Sequence, residues 1–154
     1  MTYYLAKCDE LNFLLCVKNG LWGQQINRLK AWRPKDRLIL YTDEGIAGLF
    51  EVTSNPFEDD APVWSDRTYP YRVNMNPLKV LSPENREPIT EQNIKNDLVD
   101  RYGSGWGMKL VRNLRPLDAQ IAEKIEKIIE KQPAYDPFPT IDKDPGWRVG
   151  GLPA

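Results

Sequence analysis

Two tryptophans in this chain have little local company. Trp22 stands in Gly20-Leu21-Trp22-Gly23, and Trp64 opens a polar turn, Val63-Trp64-Ser65-Asp66. An indole in such a setting has two uses: it closes one end of a hydrophobic core, or it offers a flat, polarisable face to a ligand. Against a nucleobase, each aromatic face is worth about 1–3 kcal/mol of stacking. Two faces offset much of the cost of taking a base out of its stack. A methyl group on that base adds about 0.8 kcal/mol when buried. Paired tryptophans are thus the material of a cage for a methylated base, completed by one or two groups that hydrogen-bond its edge. Backbone amides beside a glycine can serve.

The composition removes other chemistries. The chain has 154 residues and no histidine, which excludes Ser-His and Cys-His nucleophile pairs and any His-containing zinc site. Its two cysteines, Cys8 and Cys16, cannot alone ligate a structural zinc ion and are expected as small buried hydrophobes without a disulfide. There is no G-x-x-x-x-G-K-[ST] loop and no G-x-S-x-G elbow. Glu58, Asp59 and Asp60 offer carboxylates, but a polar loop explains them as solvated, so neither metal nor cofactor is assigned. The expectation is a non-catalytic protein. No apolar run reaches the roughly 20 residues of a membrane helix, and the N-terminus lacks a signal-peptide layout, so a cytoplasmic location is expected.

A formal net charge of -1 gives no global field for nucleic acid, yet Arg28, Lys30, Arg33 and Lys35 crowd one segment. These four are the candidate phosphate contacts, and a solvated face is the competing explanation.

The elements that must position these residues follow from local pattern. Tyr3 to Cys8 reads as a strand, and Asp9 caps a helix with Leu11, Leu14 and Leu15 on one face, ended by Gly20. Leu21 to Gln25 reads as a loop, and Asn27 to Trp32 as a short helix stopped by Pro34. Arg37–Thr42 and Ala47–Thr53 form a hairpin around Asp43-Glu44-Gly45. From Tyr71 to Leu81 the chain alternates, with Tyr71, Val73 and Met75 on one side and Arg72, Asn74 and Asn76 on the other. Thr90 caps a helix to about Asp100, Met108 to Leu114 reads as a strand, and Asp118 caps a helix striped by Ile121, Ile125, Ile128 and Ile129. Trp32, Trp106 and Trp147 are assigned to packing. The order β-α-β-β-β-α-β-α predicts an α+β fold, a curved or barrel-like mixed sheet surrounded by helices. One domain is expected over 1–131, with a Pro/Gly-rich tail or linker over 132–154.

Several motifs in order carry a resemblance. Tyr4-Leu5-Ala6-Lys7, Asn12, Gly20-Leu21-Trp22-Gly23 and Asn27-Arg28 resemble the opening of EVE domains. Gly48-x-Phe50-Glu51-Val52-Thr53-Ser54, Trp64-x-Asp66 and Tyr69-Pro70-Tyr71-Arg72-Val73 continue it, over about residues 2 to 130. EVE domains are PUA-like, akin to SRA and YTH domains, and the latter read methyladenine. By that kinship Trp22 and Trp64 are similar to the two cage walls, and Asn12 to the residue that reads the base edge. A backbone carbonyl near Cys8 would accept from the base amine. Where the family has a polar residue after the first tryptophan, this chain has Gly23, which keeps only its backbone N–H.

The resemblance implies a reader of a methylated base, 5-methylcytosine or another methylated base in DNA, with an RNA-binding module as the alternative. Tyr41, Thr53, Ser54, Tyr69 and Arg72 join the candidate pocket residues. EVE domains also occur fused to the AAA+ GTPase motor of McrB-type modification-dependent restriction proteins, so such a motor is an expected partner.

Overall fold

The computed structural model describes residues 1–141. Trp147 and the later part of the expected tail lie outside the described residues. The chain runs β1 (Tyr3–Lys7), α1 (Glu10–Asn19), β2 (Leu21–Gln24), β3 (Arg37–Thr42), β4 (Gly45–Val52), β5 (Phe57–Glu58), β6 (Tyr71–Val80), α2 (Lys95–Tyr102) and α3 (Ala119–Glu130).

The sheet order is β1-β3-β4-β6-β2, with β5 also on β6. β1 is parallel to β3 and every other pairing is antiparallel. The ten-residue strand β6 organises the curl: Met75 to Val80 pair with β4, while Tyr71 to Asn74 pair with β2. Register shifts at Leu40/Tyr41 and Leu49/Phe50 bend the ladder further, as bulges do. The sheet curls into a half-barrel.

Alternation along the strands splits the core in two. Tyr4, Ala6, Leu38, Leu40, Phe50 and Val73 join Phe13, Leu15 and Cys16 of α1 inside the curl. Tyr3, Leu5, Ile39, Ile46 and Leu49 face Leu98 of α2 and Ile121, Ile125 and Ile129 of α3 outside it. Asp118 caps α3 as expected, accepting from Gln120 N and Ile121 N at 3.0 and 3.2 Å. Asp9 caps α1 through Asn12 N at 2.7 Å, and Gly20 ends that helix in the left-handed conformation, φ 62°. Trp32 is buried and stacks on Tyr4 at 4.2 Å, and Trp106 packs on the outer core.

Several expectations are corrected. Leu11 is 47% exposed, and α1 buries Asn12, Phe13, Leu15 and Cys16, because the sheet rather than the leucine spacing selects the inward face. Leu21 to Gln24 is a strand, and residues 27–32 form turns without a helix. Gly107–Arg112 is a wide π-helical turn in place of a strand, burying only Leu110. Thr90 precedes α2 by a turn; its carbonyl accepts from Asn93 N and Lys95 N. Within the expected tail, three residues touch the inner core: Tyr135, whose N donates to Val80 O at 2.8 Å, and the half-buried Phe138 and Ile141.

Candidate base-binding site

β1 and β2 are the two ends of the strand order, yet both line one cavity of about 170 Å³. The curl brings them together. Lys7 and Cys8 come from the end of β1, Asp9, Asn12 and Cys16 from the cap and first turns of α1, and Trp22, Gly23 and Gln24 from β2. Trp64, Asp66 and Tyr69 close it from the loop before β6. A cavity of about 150 Å³ is known to admit a benzene-sized ring, so this one has the scale for a flat heteroaromatic ring.

Trp22 and Trp64, 6% and 2% exposed, pack into the inner core and also border the cavity. The backbone of Trp22 is held by strand pairing, opposite Val73. Trp64 is fixed by side chains. Its Nε1 donates to Cys16 Sγ at 3.1 Å, the Tyr69 ring meets it edge-on at 5.3 Å, and the Arg72 guanidinium lies 5.1 Å from its ring centre. Gly23 permits this closeness: a Cβ there would stand 2.5 Å from Cη2 of Trp64 and 2.9 Å from Tyr69 Cβ.

Gly23 also presents its backbone. Met75 N donates to Gly20 O, so the hydrogen-bonded pairs of β2 and β6 fall at Trp22↔Val73 and Gln24↔Tyr71. Gly23, opposite Arg72, therefore turns its N–H and C=O away from β6, toward the open edge of β2. One donor and one acceptor stand there for a planar ligand.

Asn12 is mostly committed within the protein. Its Oδ1 accepts from Ser65 N and Ser65 Oγ, both at 2.9 Å, and its Nδ2 donates to Asp66 Oδ1 at 3.0 Å. One N–H of the amide is left. Asp66 Oδ2 accepts from Tyr69 OH at 2.6 Å. Partial burial pushes the Asp66 carboxyl up, but the hydrogen bonds from Tyr69 and Asn12, with Arg67 nearby, outweigh it and hold the group below the usual carboxylate range. Burial, then the Asp66 hydrogen bond, pushes the Tyr69 phenol up. Burial pushes the Cys16 thiol up to about 12 and the Cys8 thiol well above its ordinary value. Both thiols stay protonated at neutral pH, so neither is a ready nucleophile. Lys7 is ion-paired to Asp43 at 2.9 Å.

The structure brings together Trp22, Trp64, Asn12, Gly23, Cys8 and Tyr69, and it places the other four pocket candidates elsewhere. Tyr41 alternates to the outer face of β3, where Lys7 lies over its ring. Thr53 and Ser54 are taken up on the far edge of β6, Thr53 N donating to Asn74 O and Ser54 Oγ accepting from Asn74 N. Arg72 is 1% exposed behind Trp64, donating to Tyr69 O and Ala61 O, with Asp59 Oδ2 at 3.8 Å. It was expected on a polar strand face; the loop before β6 folds over that face and buries it. Asp59 is thereby partner to a buried cation, and the described residues contain no group of three potential ligands that could hold a metal ion.

The phosphate candidates lie in the segment after β2, outside the cavity lining. Arg33 is folded back onto Lys30 O and Trp32 O, whereas Arg28, Lys30 and Lys35 have no side-chain hydrogen bond or ion pair among the described residues.

Lys7, Asp9, Cys16, Gln24 and Asp66 were not anticipated at the site. For two of them a signal was present: Cys16 follows Asn12 by one helical turn, and Asp9 caps the same helix beside the end of β1.

No protein-family model matches the chain. A UPF0310 protein of Pyrococcus horikoshii is 29% identical over 146 residues, covering 81% of this chain and 99% of that protein. A UPF0310 protein of Saccharolobus solfataricus is 24% identical over 143 residues, covering 82% and 96%. Among solved structures, the MmI1 YTH domain superposes with a TM-score of 0.61 at 15% identity, over 85% of this chain and 96% of that one. The YTH domain of Zygosaccharomyces rouxii MRB1 protein in complex with N6-methyladenosine RNA gives 0.56 at 20% identity, over 87% and 90%. A hypothetical protein from Leishmania major gives 0.58 at 17%, over 85% and 96%. The chain therefore has the mixed α+β, curled half-barrel fold of YTH domains, which is the PUA-like fold.

Proposed function

We propose that this protein is a non-catalytic reader of a modified nucleobase, taken out of its stack into the Trp22/Trp64 cavity. The observation that carries the reading is the ring-sized cavity with indole walls beside the outward-turned N–H and C=O of Gly23. Stacking on the walls supplies about 1–3 kcal/mol per aromatic face, and the Gly23 edge supplies direction. Asn12 contributes its remaining N–H and holds the Ser65-Asp66 turn in place. Arg28, Lys30 and Lys35 are the side chains open to phosphates, with Arg33 available once released from its own loop.

RNA is the favoured polymer, because structures sharing the fold include a YTH domain bound to N6-methyladenosine RNA. The methylated-DNA reading, which the EVE resemblance suggested, becomes the second. The EVE resemblance is compatible with the fold, whereas the restriction association and a C-terminal AAA+ motor gain no support from the comparisons and stay with that second reading.

Matched RNA and DNA oligonucleotides, plain or carrying one methylated base, decide the matter at a fixed salt concentration. The expected result is preference for a methylated RNA probe, abolished by Trp22→Ala or Trp64→Ala in protein that remains folded. Equal affinity for methylated and plain probes ends the reading, and preference for DNA over RNA transfers it to the second, since a reader of the 2′-OH loses affinity on DNA.

A further inference from the structure

Resting on the reader assignment, we infer that Asp66 sets which edge of a base the cavity accepts: it selects a base presenting an N–H donor and rejects one presenting a carbonyl. The side chain lines the cavity together with both indoles. It is held from two sides, Oδ1 by Asn12 Nδ2 at 3.0 Å and Oδ2 by Tyr69 OH at 2.6 Å. An ionised carboxylate has about four acceptor sites, so each oxygen keeps capacity for a further donor, and the group offers none of its own. The hydrogen bonds that fix its orientation also keep it ionised, against the effect of its partial burial.

Several other strong groups around the cavity are already engaged, and Asp66 is the carboxylate there held through both of its oxygens. Lys7, its one cation, is bound to Asp43, and the Arg67 guanidinium stands 3.4 Å from Asp66 on the solvent side, more than half exposed. Asn12 Oδ1 holds Ser65, Cys16 Sγ takes the Trp64 N–H, and Asp9 Oδ1 caps α1. A base oriented by the Gly23 edge thus meets a fixed negative acceptor. An amino group satisfies it; a carbonyl oxygen there sets two acceptors against each other, at a side chain that is 38% exposed in the free protein. A site built around one hydrogen-bonding partner discriminates against the analogue that lacks it.

The test uses the full chain with otherwise identical RNA probes carrying one N6-methyladenine, one 5-methylcytosine or one 5-methyluracil. The last two share ring and methyl group and differ by an amino-for-carbonyl exchange with its ring-nitrogen tautomer. Wild type should prefer 5-methylcytosine over 5-methyluracil by about threefold to tenfold. Asp66→Asn keeps the shape and an acceptor for Asn12 and should remove most of that ratio, with N6-methyladenine weakened alongside 5-methylcytosine. Tyr69→Phe, which frees Oδ2 without touching the carboxylate, should reduce the ratio in the same direction and stands in if Asp66→Asn fails to fold. Equal binding of 5-methylcytosine and 5-methyluracil by wild type overturns the inference, as does an unchanged ratio in the variants. If no methylated probe exceeds its plain counterpart, the reader assignment itself falls and takes this inference with it. If Trp64→Ala abolishes methyl preference while the amino-to-carbonyl ratio is flat, only the Asp66 role is lost.

Discussion

The two indole walls are held by different physics. Trp22 sits on a strand, and the backbone ladder between β2 and β6 fixes its Cα opposite Val73, from which the ring packs into the inner core. Trp64 sits in a loop, and its position rests on four side-chain arrangements: the Cys16 acceptor, the Arg72 guanidinium behind the ring, the Asn12 amide on Ser65, and the missing Cβ of Gly23. A wall on a ladder moves only with the sheet. A wall on a loop is as firm as its tertiary bonds, so adjustment on binding should come from the Trp64 side.

The contrast is broken most directly at Arg72. Arg72→Met leaves Tyr69 O and Ala61 O without their donor and removes the cation behind the Trp64 ring. Urea denaturation should show a loss of about 2–3 kcal/mol, the scale of buried hydrogen bonds to a charged group. The variant should also lose preference for a methylated probe. A loss below about 0.5 kcal/mol, typical of an inert surface site, would mean the loop holds Trp64 without help.

A smaller effect separates the two rings themselves. The Nε1 of Trp64 has the Cys16 acceptor, whereas the buried Nε1 of Trp22 has no partner among the described residues. Trp64→Phe should therefore cost more stability than Trp22→Phe, by about 1 kcal/mol. Equal costs in matched denaturation curves would show that the contact with sulfur contributes nothing.

The smallest effect is pH-dependent and confined to the Trp64 side. Asp66 has a depressed folded-state pKa, so the folded state favours its ionised form. Its contribution is complete above its unfolded value, near pH 4, and is lost as pH falls through the lower folded value. Asp66→Asn should flatten the acid limb of the stability curve over that window and leave the curve above pH ~5 parallel to wild type. An unchanged acid limb would show that the Asn12 and Tyr69 hydrogen bonds persist to the protonated acid.

Local features were legible. Asp9, Gly20 and Asp118 mark helix ends by chemistry that acts within a few residues, and the turn at Asp43-Glu44-Gly45 joins two strands as its composition requires. The isoleucine stripe of α3 reads directly as a buried face. Other positions depend on what arrives from elsewhere. Arg72 reads as a polar-face strand residue and pocket candidate until the 59–69 loop folds over it, and Tyr41 looks available until the strand phase turns it outward. The stretch Met108 to Leu114 has strand-like residues but pairs with no strand, so its backbone closes its own hydrogen bonds as a helical turn.

By itself the sequence determined the caps of α1 and α3, the hairpin, the alternation along β6, and the two tryptophans set in polar or glycine-rich surroundings. Tertiary structure alone decided that β1 and β2, the ends of the strand order, meet across one cavity, and that Asn12, Asp66 and Tyr69 form a connected set on its wall. The reason is range. Caps and alternation are set by steric and hydrogen-bonding preferences between near neighbours, whereas a cavity is the space left after distant segments pack, and its shape depends on the curl of the whole sheet.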